Sequence, residues 1–126
     1  MSALLDARAH VGTAHEFVEA AVFNRDLELF DAATSAAVIS GINSKDAICL
    51  RLAGVTRKSE DHAAAISELK AVGPAAGALA PTLSRLLTLR TKSQYAAASV
   101  VAVDAAKAVE WATRLLQVAE DVVSSR

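Results

Sequence analysis

At 126 residues and a formal net charge of −1, the chain has room for one domain, and its 53% apolar content supplies a core that needs neither disulfide nor metal. Cys49 is the only cysteine, which excludes an intramolecular disulfide and a zinc site built on paired thiolates, so a reducing cytoplasm is the expected compartment. The start MSALLDARAH lacks the cationic lead and apolar run of an export signal, and no stretch reaches the roughly 20 apolar residues of a membrane span.

Alanine fills 29 positions, a composition that favours helices in close contact. Leu4, Val11, Ala14, Val18, Ala21 and Val22 recur at three- and four-residue steps and predict a first helix over about residues 3–23. His10 and His15 on it are five apart, about 140° round a helix, whereas two imidazoles sharing a metal need a spacing of about four. Both read as surface or boundary histidines. Asn24 and Asp26 have capping side chains, and a second helix, the longest, is expected to start there and run through Leu27, Phe30, Ala33 and Ala37 toward Leu52. Gly41 inside it costs about 1 kcal/mol relative to alanine. It predicts either a kink at Ser40–Gly41 or a restart at Ser44, with close contact to another helix as its physical reason. Asp46, Ile48, Cys49 and Leu52 continue the pattern until Gly54 ends it. Cys49 reads as a small buried hydrophobe rather than a nucleophile.

Residues 54–59, GVTRKS, form a basic loop ending in the capping residue Ser59, and a third helix is expected from Glu60 to Ala71 with Glu60 and Asp61 in its first turn. His62 follows the loop at a helix start, where a ligand could reach it; the competing reading is a helix-end imidazole without chemistry. Gly73-Pro74 ends this helix, and the stretch to Pro81 is a connector with room for one helical turn. The fourth helix begins near Pro81 and reaches at least Arg90, and Leu83, Leu86, Leu87 and Arg90 share one of its faces, which carries Arg90 along or beside the buried seam. The linker AAASVVAV follows Tyr95, and its Val100–Val103 run is too short and isolated to form a sheet. Asp104 is then expected to cap a last helix through Ala108, Trp111, Ala112, Leu115, Val118 and Val122, with Trp111 in the core. The elements add up to an all-α, single-domain, mainly antiparallel up-and-down bundle of about five helices.

Residues 1–50 carry three basic and seven acidic side chains, residues 51–95 seven and three, and residues 96–126 three and four. The central block therefore concentrates positive charge on the stretch that holds Arg57, Lys58, Arg90 and Lys92, as a surface facing a polyanion would; solvated helix faces would give the same tally. No Gly-x-Ser-x-Gly, His-Glu-x-x-His, Cys-x-x-Cys or dinucleotide glycine pattern occurs, and neither cofactor nor metal is expected. The polar cluster left for chemistry is Arg90, Lys92, Ser93 and Tyr95 beside the loop cations Arg57 and Lys58.

A bundle whose penultimate helix ends LSRLLTLRTKSQY, followed by a short linker and DAAKAVEWATRLLQVAEDVV, resembles the HEPN family. The earlier run SGINSKDAICLRLAG, with SEDHAAAISEL after it, looks like the middle of some bacterial HEPN proteins, so the resemblance covers most of the chain through short, alanine-rich motifs. RNA-cleaving members of that family carry an arginine, several arbitrary residues and then a histidine at a dimer interface, and toxin members add a tyrosine two residues later. Arg90 matches the arginine, Tyr95 occupies a histidine position and Ala97 the tyrosine position. A phenol with a pKa near 10 is a poor neutral-pH acid or base. The resemblance thus implies a nucleic-acid- or nucleotide-associated module without full ribonuclease activity, with RNA or a nucleotide as ligand and a nucleotidyltransferase or antitoxin as partner. Arg90 and Tyr95 would face phosphate and base, supported by Lys92, Arg57 and Lys58. Five residues on a continuous helix separate Arg90 from Tyr95 by about 140°, so they converge only if the helix ends between them or a homodimer completes the site. The alternative is a non-catalytic dimeric helical interaction module, in which Arg90 bonds helix-end carbonyls or a carboxylate and Tyr95 packs its ring.

Overall fold

Alanine at seven-residue intervals decides how the first two helices meet. In the computed structural model, which describes residues 2–57, 61–95 and 101–125 (residues 92–95 by their backbone alone), helix α1 (Ala3–Asp26) buries Ala7, Ala14 and Ala21. This thin stripe lets helix α2 (Phe30–Ala53) approach closely enough for the buried Ser40 hydroxyl to donate to the Ala14 carbonyl at 2.7 Å. One turn toward the start of α1, His10 Nδ1 lies 2.8 Å from Asn43 Oδ1. Residue numbers fall along α1 as they rise along α2, so the two are antiparallel.

The junction between them differs from the expected one. Helix α1 continues to Asp26, and Asn24, instead of capping α2, donates its side-chain amide to the Ala20 carbonyl at 2.8 Å. The backbone amides of Glu28 and Leu29 bond back to Arg25 and Asn24 at 2.9 and 2.8 Å, closing the end of α1 through Glu28 at φ 62°. Helix α2 therefore starts at Phe30, six residues after Asn24 and without a side-chain cap.

Helix α2 is continuous through Gly41, so neither the kink nor the restart occurs. The reason given for the glycine does hold. A Cβ there would lie 2.5 Å from Leu86 Cδ2 and 3.3 Å from Leu115 Cδ1, which makes Gly41 the point where three helices touch. Gly54, at φ 78°, ends α2 with its amide on the Leu50 carbonyl, the left-handed close that glycine tolerates.

Helix α3 (His62–Ala71) is capped by Asp61, whose Oδ1 accepts the amides of Ala63 and Ala64 at 3.0 and 3.4 Å; the expected cap and first residue, Ser59 and Glu60, lie outside the described residues. Pro74–Gly77 forms the single turn α4, and α5 (Ala80–Tyr95) opens with Pro81 in its first turn. Helix α6 (Ala102–Ser124) follows Val101, so Asp104 is a first-turn residue suited to the helix dipole rather than the cap. Leu83, Leu86 and Leu87 of α5 are buried together with Ile48, Leu69 and Leu115 in one continuous core, against which Trp111 packs half-buried.

Helices α2 and α6 run in the same direction: Gly41 meets Leu115, and Arg51 donates to the Ser125 carbonyl at 2.9 Å, with both numbers rising together. The segment α3–α5 carries the chain back between them. The architecture is an all-α bundle, without a strand among the described residues, and no described helix is long and apolar enough to cross a membrane.

Candidate functional site

Two adjacent charges, Lys45 and Asp46, sit in the middle of α2 in a run that is otherwise apolar or small, and both are buried. A helix cannot bury an ammonium without partners, and here they come from the loop and from α3. Lys45 Nζ donates to Asp46 Oδ1 at 3.0 Å, to the Arg57 carbonyl at 3.0 Å and to Thr56 Oγ1 at 3.2 Å, and it pairs with the Glu68 carboxylate. Thr56 donates to Asp46 Oδ1 at 2.6 Å, and the Arg57 amide donates to Glu68 Oε2 at 2.8 Å. The network ties Thr56 and Arg57 to α2 and α3 at once.

Its electrostatics follow from this geometry. Burial pulls the Lys45 pKa down, but hydrogen bonds to Glu68 and Asp46 and their negative charge outweigh it and leave the ammonium above its ordinary value. Burial pushes Glu68 up, and the Lys45 hydrogen bond, the Arg57 amide, the Lys45 charge and Thr56 together hold it below its ordinary value. Cys49, one turn beyond Lys45, is fully buried; desolvation, reinforced by Glu68 and Asp46 and only partly offset by Lys45, pushes its thiol up to about 12. It is the small buried residue that its place in the α2 pattern predicts.

Above this base lies a cleft of about 330 Å³. Ile42, Asn43, Lys45 and Asp46 of α2 form its floor. Arg57 enters from the loop, Asp61, His62 and Ala65 from the start of α3, and Leu83, Leu87 and Arg90 from α5. Arg90 is half-buried, so the leucine face of α5 does bring it beside the seam, and among the described residues its guanidinium makes no hydrogen bond or ion pair. The Arg57 guanidinium is exposed and likewise has no ion pair among them. His62, half-buried, also belongs to the lining.

Of the residues singled out in the sequence, Arg57 and Arg90 thus meet in one cleft. Lys58 lies outside the described residues, as do the side chains of Lys92 and Tyr95. The helix axis continues to Tyr95, which removes the option that α5 ends between Arg90 and Tyr95. Sequence reasoning missed Lys45, Thr56 and Glu68; the readable signal was an adjacent Lys-Asp pair interrupting a long run of small and apolar residues. His10 and His15 are boundary and surface residues, the first beside Asn43 and the second near Glu19 at 3.7 Å. No cluster of three or more potential metal ligands occurs among the described residues.

Comparison with known proteins finds no matching protein-family model and no matching curated protein.

Proposed function

We propose that the protein is a HEPN-type, nucleic-acid- or nucleotide-associated module that binds phosphate through Arg90 and Arg57. The observation that carries this reading is the meeting of two arginines, 33 positions apart in sequence, in one cleft without an acidic partner for either guanidinium among the described residues. A guanidinium binds phosphate through two parallel charge-assisted bonds, and one left half-buried without a partner carries a desolvation cost that an anion offsets. Lys58 and Lys92 supply further positive charge nearby in sequence.

Full ribonuclease activity is not part of the proposal, because Tyr95 stands where the resemblance calls for histidine. On a helix continuous through residue 95, positions 90 and 95 lie about 140° apart round the axis. They act on one ligand only across a homodimer, so a homodimer belongs to the proposal, as does work in the cytoplasm in a toxin–antitoxin-like or nucleotidyltransferase-linked system.

Titration of an RNA oligonucleotide at two salt concentrations tests the reading: binding should weaken steeply with salt and be lost in Arg90→Ala with the helical circular dichroism retained. If Arg90→Ala binds as the parent does, or unfolds while Arg90→Lys binds no anion, the arginine is structural. A mass near 13.1 kDa by light scattering at micromolar concentration would remove the dimer and the shared site. Tyr95→His tests the catalytic corollary, since RNA cleavage gained by that variant identifies a nuclease scaffold that lost its acid–base residue.

One observation favours the second reading, a non-catalytic interaction module. Phe23, Leu27 and Leu29 at the α1–α2 turn are 65%, 54% and 51% exposed, an apolar tip distant in sequence from both arginines.

A further inference from the structure

The bonds already made around the cleft decide what is left for a ligand. Lys45 is shared between Asp46 and Glu68, Asp46 also accepts from Thr56, and Asp61 is taken up in capping α3 and in a further interaction. Asn43 is engaged as well, with Oδ1 beside His10 and Nδ2 donating to the Ile39 carbonyl. The charged side chains of the lining that have no hydrogen bond or ion pair among the described residues are Arg57 and Arg90. A guanidinium only donates, so what the cleft lacks is acceptors. Apart from the His62 imidazole, the remaining lining is hydrocarbon: Ile42 and Ala65, both half-buried, with Leu83 and Leu87 of α5. The volume of about 330 Å³ lies at the lower end of the range for small-molecule sites, roughly 300–1,000 Å³. It holds one small molecule and not the run of nucleotides that a strand-binding groove tracks.

We propose that the cleft binds a small phosphate monoester with an apolar body, its phosphate on Arg57 and Arg90 and its ring or chain against Ile42, Ala65, Leu83 and Leu87. The proposal rests on the reading of the two arginines as phosphate ligands and narrows what carries the phosphate. A phosphate monoester brings three acceptor oxygens, which answer guanidinium donors through parallel charge-assisted bonds. Taking the apolar body out of water adds affinity that inorganic phosphate has no means to gain. A body rich in hydroxyl or amine donors gains less, because the carboxylates of the cleft are already bonded and the donors give up their water.

Calorimetric titration of the full chain with phenyl phosphate, ribose 5-phosphate, inorganic phosphate and phenol tests this, at one mildly alkaline pH so that the phosphates carry equal charge. Phenyl phosphate should bind in one-to-one ratio, about tenfold or more tighter than inorganic phosphate, ribose 5-phosphate or phenol. Arg90→Ala should weaken phenyl phosphate by about tenfold or more. Ala65→Leu puts a good helix former at a half-buried position and fills the cleft, so it should weaken phenyl phosphate about tenfold and leave inorganic phosphate within about twofold. Ile42→Ala subtracts apolar contact instead and should reduce the same preference. The proposal is overturned if ribose 5-phosphate, inorganic phosphate or phenol binds as tightly as phenyl phosphate, or if neither Ala65→Leu nor Ile42→Ala changes the preference. In that case an RNA oligonucleotide whose binding still depends on Arg90 leaves the nucleic-acid reading standing without the small-ligand site, whereas failure of oligonucleotide and phosphates alike ends both.

Discussion

Lys45 and Glu68, 23 positions apart, form an ion pair whose side chains are only 3% and 12% exposed. Their bond joins the middle of α2 to α3 and clasps the loop residues Thr56 and Arg57 between them. Arg57 reaches the cleft because its own backbone is held on both sides by this pair. The interior ion pair and the exposed guanidinium are therefore parts of one arrangement.

Removing one partner should be costly. Lys45→Ala leaves Asp46 and Glu68 facing each other inside the protein, and loss of one member of a buried pair typically costs about 3–5 kcal/mol. Urea denaturation should show a fall of that size in unfolding free energy, whereas Arg57→Ala, whose side chain is exposed, should change it by less than about 0.5 kcal/mol. Equal effects would show that the pair does not carry the loop.

The same pair sets a pH window. Glu68 is held below its ordinary value near 4.5, so the unfolded chain takes up its proton first as the solution is acidified. Its contribution is complete above that value and is lost as pH falls through the lowered pKa. Lys45 is raised above its ordinary 10.5, so its contribution is complete below 10.5 and is lost as pH rises through the raised pKa. Melting temperature should be flat between about pH 5 and 10 on account of these groups and fall on both sides; Glu68→Gln should flatten much of the acid limb. An acid limb unaltered in that variant would assign it to other carboxylates.

Gly41→Ala should destabilise the bundle although alanine is the better helix former. The propensity gain is about 1 kcal/mol, but a Cβ 2.5 Å from Leu86 Cδ2 forces a fully buried leucine to move, and overpacking costs about 1–3 kcal/mol. A net loss of about 1 kcal/mol in thermal or urea unfolding is expected. A stabilised variant would mean that α5 yields easily.

Cys49 should resist thiol reagents in the folded state. With its pKa pushed up to about 12 and its side chain without exposure, it has neither thiolate nor access at pH 8. Labelling by a disulfide reagent should follow global unfolding and accelerate with urea; rapid labelling in buffer would point to frequent local opening around residue 49.

The parts of this fold that the sequence made legible are those governed by one helix at a time. The Leu83, Leu86, Leu87 stripe buries as its spacing requires and carries Arg90 with it, and the glycine in α2 has the close contact that its cost implied. The start of α2 was misplaced because Asn24 and Asp26 look alike as caps and as helix-end residues, and the choice falls to hydrogen bonds that Asn24 makes backward to Ala20 and forward to Leu29. Asp104 misled for a related reason, since an acidic residue suits both the cap and the first turn. The Lys45–Glu68 clasp was only half legible: the Lys45-Asp46 pair interrupts a small and apolar run, but Glu68 reads as a solvated helix charge, and the pairing depends on how α3 docks. That docking also turns Arg57 and Arg90 from two entries in a charge tally into walls of one cleft.

The shared direction of α2 and α6 has a kinetic consequence. Contacts such as Ser40 with Ala14 close a stretch of 26 positions, while Arg51 with Ser125 closes one of 74. By the logarithmic law of chain closure the longer loop costs about 4 kcal/mol of entropy and the shorter about 3, before any interaction repays it. The α1–α2 hairpin should accordingly assemble first, with α6 slotting onto it afterwards. In pulsed hydrogen exchange, amides around Ala14 and Ser40 should gain protection ahead of those around Leu115, so the final step of folding is the arrival of one long helix in a groove already made.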